Sequence, residues 1–191
     1  MSYQAKDYSS VLSISGLPSD LLNNHFSLYE GYVSNTNKLS EEIQRTSKDS
    51  AAFAEMNRRF GWEFNGMRLH ELYFENISAT PKSVDLCPDI YNKIQIDFGS
   101  VDAWREDFKA TALMRGTGWV ILYHDRWQDR LFNVWIEEHS NGHLAGCRPL
   151  LVIDLFEHAF MPAGIRKPDY VDTILNSFDW SSAENRMKAE A

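Results

Sequence analysis

The sequence predicts an α+β protein: a long N-terminal helical hairpin, then an α/β part built on a three-stranded antiparallel sheet. Three observations carry that expectation. Apolar residues recur at helical spacing through two long stretches of the first 80 residues, and three β-rich runs lie between positions 119 and 154. No repeat or low-complexity tract interrupts either part. The division falls between Ser78 and Pro88, giving a hairpin domain over residues 1–80 and an α/β domain over 89–191.

Ser19-Asp20 after Pro18 offers a helix cap, and Leu22, His25, Leu28, Tyr29, Tyr32, Leu39 and Ile43 follow at mostly helical spacing. A second long helix is expected from Ser50. Its stripe runs Phe53, Met56, Phe60, Phe64, Met67, His70, Phe74 and Ile77, until Pro81 closes it. Gly61 and Gly66 weaken that helix and predict a kink or irregular turn. Pro88-Asp89 opens a short helix, and Ser100 caps another carrying Trp104, Phe108 and Leu113. Gly116 and Gly118 precede strands over 119–124, 131–138 and 150–154, the first two joined as a hairpin. Pro168 begins a last helix with Val171, Ile174, Leu175 and Phe178 facing inward.

The bulk numbers exclude several classes of function. With 191 residues and 43% hydrophobic content the chain can bury a core, and its formal charge of −8 argues against nucleic acid. No Lys/Arg cluster supplies a basic face. No opening basic-then-apolar segment and no membrane-length apolar run is present. Cys87 and Cys147 lack C-x-x-C spacing and read as free thiols, which suits a reducing, cytoplasmic setting.

The most informative segment is Asp154-Leu155-Phe156-Glu157-His158, directly after the apolar run Leu150-Leu151-Val152-Ile153. A carboxylate and an imidazole four residues apart where a buried strand ends can converge on one point, which suits a transition metal with mixed N/O ligands. A surface Asp and a hydrogen-bonded structural His would give the same five letters. His25 and His70 weigh against that reading, because each sits on the apolar stripe of a different helix. Buried imidazoles need partners, and one metal satisfies several at once. Three imidazoles and a carboxylate suit iron, manganese or zinc with an open coordination position.

The same residues resemble the iron/manganese superoxide dismutase family. The segment from Asp154 to Phe160 is similar to the family's D-x-W-E-H-A-Y, and His70-Glu71-Leu72-Tyr73-Phe74 to its H-x-x-x-W. Phe98-Gly99-Ser100, Gly116-Thr117-Gly118-Trp119 and Tyr32-Val33-Ser34-Asn35-Thr36-Asn37 continue the match, collinearly, from about Ser19 to Trp180. The resemblance implies His25, His70, Asp154 and His158 as ligands to one iron ion per subunit, with manganese as the alternative. It implies turnover of superoxide to dioxygen and hydrogen peroxide. It also implies a homodimer in which Glu157 of each subunit reaches the other's His158. The rival reading is a structural or metal-binding paralogue without turnover. A zinc hydrolase is disfavoured, since Phe74 stands where H-E-x-x-H needs its second histidine.

Several positions depart from the family. The usual outer glutamine is missing: Gly66, four residues before His70, has no side chain to offer, and the alternative position falls on His139. His139 is therefore expected to hydrogen-bond the metal-bound solvent, with His143 as competitor. The interval from His25 to Tyr32 is one residue shorter than usual, leaving two clean turns. Tyr32 is favoured over Tyr29 as the gateway tyrosine, because its flanking residues match. Phe74, Ile121 and Phe156 stand where the family often has tryptophan, while Met161 replaces a tyrosine at the interface. Arg166 either attracts an anion or pairs with an acidic neighbour. Val152, bulkier than the glycine common in manganese-preferring relatives, inclines the reading towards iron.

Overall fold

The computed structural model describes residues 2–189. Two helices, α1 (Ser19–Arg45) and α2 (Ala51–Glu75), form the expected hairpin and pack along their length. Ser50 caps α2 by accepting from the Phe53 amide at 3.0 Å. Ser19 does not cap α1: it lies in the first turn, Pro18 takes the cap position, and no side chain bonds there. The buried stripe of α1 is Leu21, Leu22, His25, Tyr29, Val33 and Thr36.

The kink anticipated at Gly61 and Gly66 is absent, and α2 runs unbroken through both. Gly66 serves packing instead. A Cβ at that position would come within 2.6 Å of the Tyr32 ring, so the missing side chain lets the phenol lie against the helix. The helix also ends earlier than expected, at Glu75. The Asn76 side chain donates to Tyr73 O at 3.0 Å and Val152 O at 3.2 Å, and accepts from the Val152 amide at 2.7 Å. One amide group thus ties the end of α2 to a strand. Ile77 leaves the helix to bridge Phe178.

Helices α3 (Pro88–Phe98) and α4 (Val101–Ala112) lead into strands β1 (Gly118–Asp125), β2 (Arg130–Glu137) and β3 (Arg148–Asp154). The sheet order is β2-β1-β3 and both pairings are antiparallel. Trp119 on the central strand stands opposite Ile136 on one side and Asp154 on the other. Gly118, at φ +157, is sterically required: a Cβ there would fall 1.9 Å from Ile136 O. Helix α5 (Lys167–Ser177) corresponds to the expected last helix, but a further one, α6 (Trp180–Lys188), follows under an Asp179 cap. It buries only Trp180, Ala183 and Glu184, too little apolar surface to leave a periodic signal. Its largely buried Arg186 donates to Leu150 O at 2.7 Å and Leu72 O at 3.0 Å.

Replacing Asn76 by alanine would leave the Val152 N–H and C=O buried without partners. Each such orphan costs about 1–3 kcal/mol. Asn76→Ala is therefore expected to lower the unfolding free energy by roughly 2–4 kcal/mol in urea titrations; a change under about 0.5 kcal/mol would show that water replaces the amide.

Candidate metal centre

Four side chains from four separate elements meet at one point. His25 comes from α1, His70 from α2, Asp154 ends β3, and His158 lies in the short 3-10 turn Glu157–Ala159. Their ligand atoms all lie within 4.8 Å of one another. The Nε2 atoms of His25 and His158 are each 3.0 Å from Asp154 Oδ2, and that of His70 is 3.4 Å away. The other carboxylate oxygen, Oδ1, accepts from the Phe156 amide at 2.8 Å, which sets the turn that delivers His158. His25, His70 and Asp154 are buried, and His158 is partly open.

His70 gives the clearest sign of a cation. Its ring is fixed by Nδ1–H donating to Gly66 O at 2.6 Å, so Nε2 bears the lone pair. That nitrogen is buried with no hydrogen-bond partner among the described residues. Lone pairs buried without a donor are costly, and a cation between Nε2 and Asp154 would satisfy both.

The electrostatics agree. Burial pushes the pKa of His70 down to about 3, helped by the neighbouring His25, and burial also lowers His25. Both imidazoles are thus neutral, as ligands must be. Burial would raise the Asp154 carboxyl, but His158 and His25 together hold it far below the usual carboxylate range. His158 is shifted up: burial opposes its charge, yet the Asp154 carboxylate outweighs that penalty. Without a cation, a proton on His158 stands in for the missing positive charge.

Around this cluster the polar groups form a chain. Tyr32, seven residues and two turns after His25, stacks on the His70 ring at 5.1 Å, and its Oη lies 2.9 Å from His139 Nε2. The Trp119 indole N–H donates to His139 Nδ1 at 3.0 Å. A neutral His139 therefore carries its proton on Nε2 and donates it to Tyr32 Oη, leaving the tyrosine's own O–H free. Both ring nitrogens of His139 are engaged, one by Trp119 and the other by Tyr32. His143 lies behind, bonded to the His139 carbonyl at 2.9 Å. Tyr29 is engaged elsewhere: it donates to Glu71 at 3.1 Å and accepts from the Lys6 amide.

Aromatic rings close the surroundings. Phe74 meets His25 edge-on at 5.1 Å, Trp119 meets His70 likewise, and Phe156 stacks on His139 at 4.6 Å. Arg166 is exposed and bonded through two nitrogens to Asp169, so its charge is matched at the surface. Glu157 is exposed and touched by Thr117 Oγ1 at 3.4 Å.

One neighbour escaped the sequence reading. The Trp62 ring is 4.5 Å from His139 and 5.5 Å from Tyr32, beneath the Arg59 guanidinium at 3.8 Å, and its Nε1 donates to Glu138 at 3.1 Å. The spacing Trp62-Gly66-His70, four and four, could have placed it on the ligand face.

Residues 87–186 match the family model described as iron/manganese superoxide dismutases, C-terminal domain. The chain is 31% identical to an iron superoxide dismutase of Cupriavidus metallidurans, covering 92% of this chain and 91% of that protein. It is 29% identical to an iron superoxide dismutase of Saccharolobus solfataricus, over 88% and 84% of the two chains. A manganese superoxide dismutase of Haloferax volcanii is 30% identical over 86% and 83%.

A cation must displace the proton that Asp154 draws onto His158. Below the raised pKa of His158 protons compete, so affinity for added Mn²⁺ should rise as pH increases through that value. Calorimetry between about pH 5.5 and 8, in buffers of different ionisation enthalpy, should register proton release at the acidic end; affinity independent of pH would exclude His158 as a ligand.

Proposed function

Because this chain belongs to the iron/manganese superoxide dismutase family, we propose that it disproportionates superoxide at one iron ion held by His25, His70, Asp154 and His158, with manganese as the alternative metal. The observation that carries this reading is the convergence of three imidazole Nε2 atoms on Asp154 Oδ2, one of them without any other partner. Such an ion supplies one-electron exchange: one superoxide gives up an electron and leaves as dioxygen, and a second takes an electron and two protons and leaves as hydrogen peroxide.

The residues of the chain account for the rest. Asp154 supplies the negative charge that a cation of this kind needs, and the neutral His25 and His70 add donors without adding charge. Tyr32 has a free O–H beside His70 and a donor behind its oxygen in His139, so it is placed to hold the proton that a developing peroxide requires. Burial together with the charges of Asp154 and Glu63 pushes the Tyr32 phenol well above its ordinary pKa, which keeps it protonated at neutral pH. Phe74, Trp119 and Phe156 exclude bulk water.

We assign a homodimer to the face carrying Glu157. Its carboxylate is exposed, and Met161, four residues on, is 58% exposed, apolar surface that a second copy would cover. No described helix is long and apolar enough to cross a membrane. A cytoplasmic location, with neither membrane nor nucleic acid as partner, remains our reading of the composition.

Loading the metal-free protein with iron or manganese separately and following superoxide consumption tests the function. Activity is expected with iron, and His70→Ala is expected to lose both metal and activity. Turnover with neither metal would leave only the metal-binding reading. Tyr32→Phe should retain its metal while turnover falls about tenfold or more, as for loss of a positioned proton donor; unchanged turnover would remove Tyr32 from the proton path.

A further inference from the structure

Behind His139 lies a polar pair that hydrogen-bonds neither to the four clustered residues nor to Tyr32. His143 Nε2 is 2.9 Å from the His139 carbonyl oxygen. That oxygen can only accept, so Nε2 carries a proton, and in the neutral ring Nδ1 is the acceptor. The Tyr123 hydroxyl, 2.7 Å from Nδ1, is then the donor. Tyr123 is 2% exposed on the central strand, which makes it a fixed anchor. The Asn65 side-chain amide of α2 lies 3.4 Å from the same Nε2.

The segment that this pair holds is under constraint. Glu138 adopts φ +50, a left-handed conformation that non-glycine residues rarely enter. Its amide donates to Thr117 O at 3.0 Å, and Glu137 and Asn141 exchange both main-chain hydrogen bonds around it. This tight loop turns the His139 ring inward from the end of β2. A cleft of about 200 Å³ opens beside His143, lined by Leu69, Leu72, Leu144 and Cys147.

We propose that His143, oriented by Tyr123, is a positioning residue for His139: its Nε2–H holds the His139 carbonyl and thereby keeps the imidazole against Tyr32. The part of the proposal that concerns turnover rests on the dismutase reading above, and the part that concerns loop order does not. Among metal-loaded variants, His143→Leu removes the donor, whereas His143→Gln retains an N–H of similar reach.

In the leucine variant, amide hydrogen exchange over residues 138–142 should accelerate about tenfold while the rest of the protein exchanges as before. The turnover number should fall about tenfold with KM unchanged, and glutamine should restore both. Unaltered exchange over 138–142, acceleration spread through the whole protein, or a glutamine variant as impaired as leucine would each overturn the proposal. If the wild-type protein proves inactive, the exchange data decide it alone. Should the leucine variant not fold, Tyr123→Phe preserves the packing and should loosen the same segment; unchanged exchange there would equally overturn it.

Discussion

A single buried carboxylate oxygen organises this protein. Asp154 Oδ2 lies where three imidazoles from two helices and a turn meet, wholly removed from solvent. An isolated carboxylate in such surroundings would be protonated or would unfold its neighbourhood. It stays charged because positive charge is supplied beside it, by a proton on His158 or by a cation. The long hairpin, the strand end and the 3-10 turn all contribute to this one electrostatic balance, which makes the centre of the site also a centre of the fold.

Main-chain ties set the relative positions of those contributors. Asn76 joins the helix of His70 to the strand of Asp154, while Arg186 from the last helix reaches the main chain of both. Trp119 and Asp154 are direct neighbours across two strands. The register that pairs them also brings the indole N–H to His139. Geometry at the candidate metal centre thus follows from hydrogen bonds made two to six residues away from it.

Much of this was legible in the sequence because the relevant signals are local. His25 and His70 stood out as polar residues on apolar helical stripes, and Asp154 and His158 as polar residues at the end of a buried strand. Tyr32 was preferred to Tyr29 because its flanking residues match the family pattern, whereas both tyrosines lie whole turns from His25. What was not legible depends on partners remote in sequence. Asn76 reads as helix interior until Val152 is placed beside it. The helix at 180–188 is too polar for periodicity to reveal, and Gly66 looks like a weak point until the Tyr32 ring fills the space above it. The hydrogen-bond direction of His139 became readable only with Trp119 in position.

That contact between Gly66 and Tyr32 also bears on how such sites can diverge. A side chain at position 66 and a phenol stacked on His70 claim the same volume, with ring carbons 2.6–3.0 Å from where a Cβ would stand. An amide reaching in from α2 and the present arrangement of Tyr32 with His139 therefore exclude one another. Any side chain placed at position 66 therefore requires the Tyr32 ring to move.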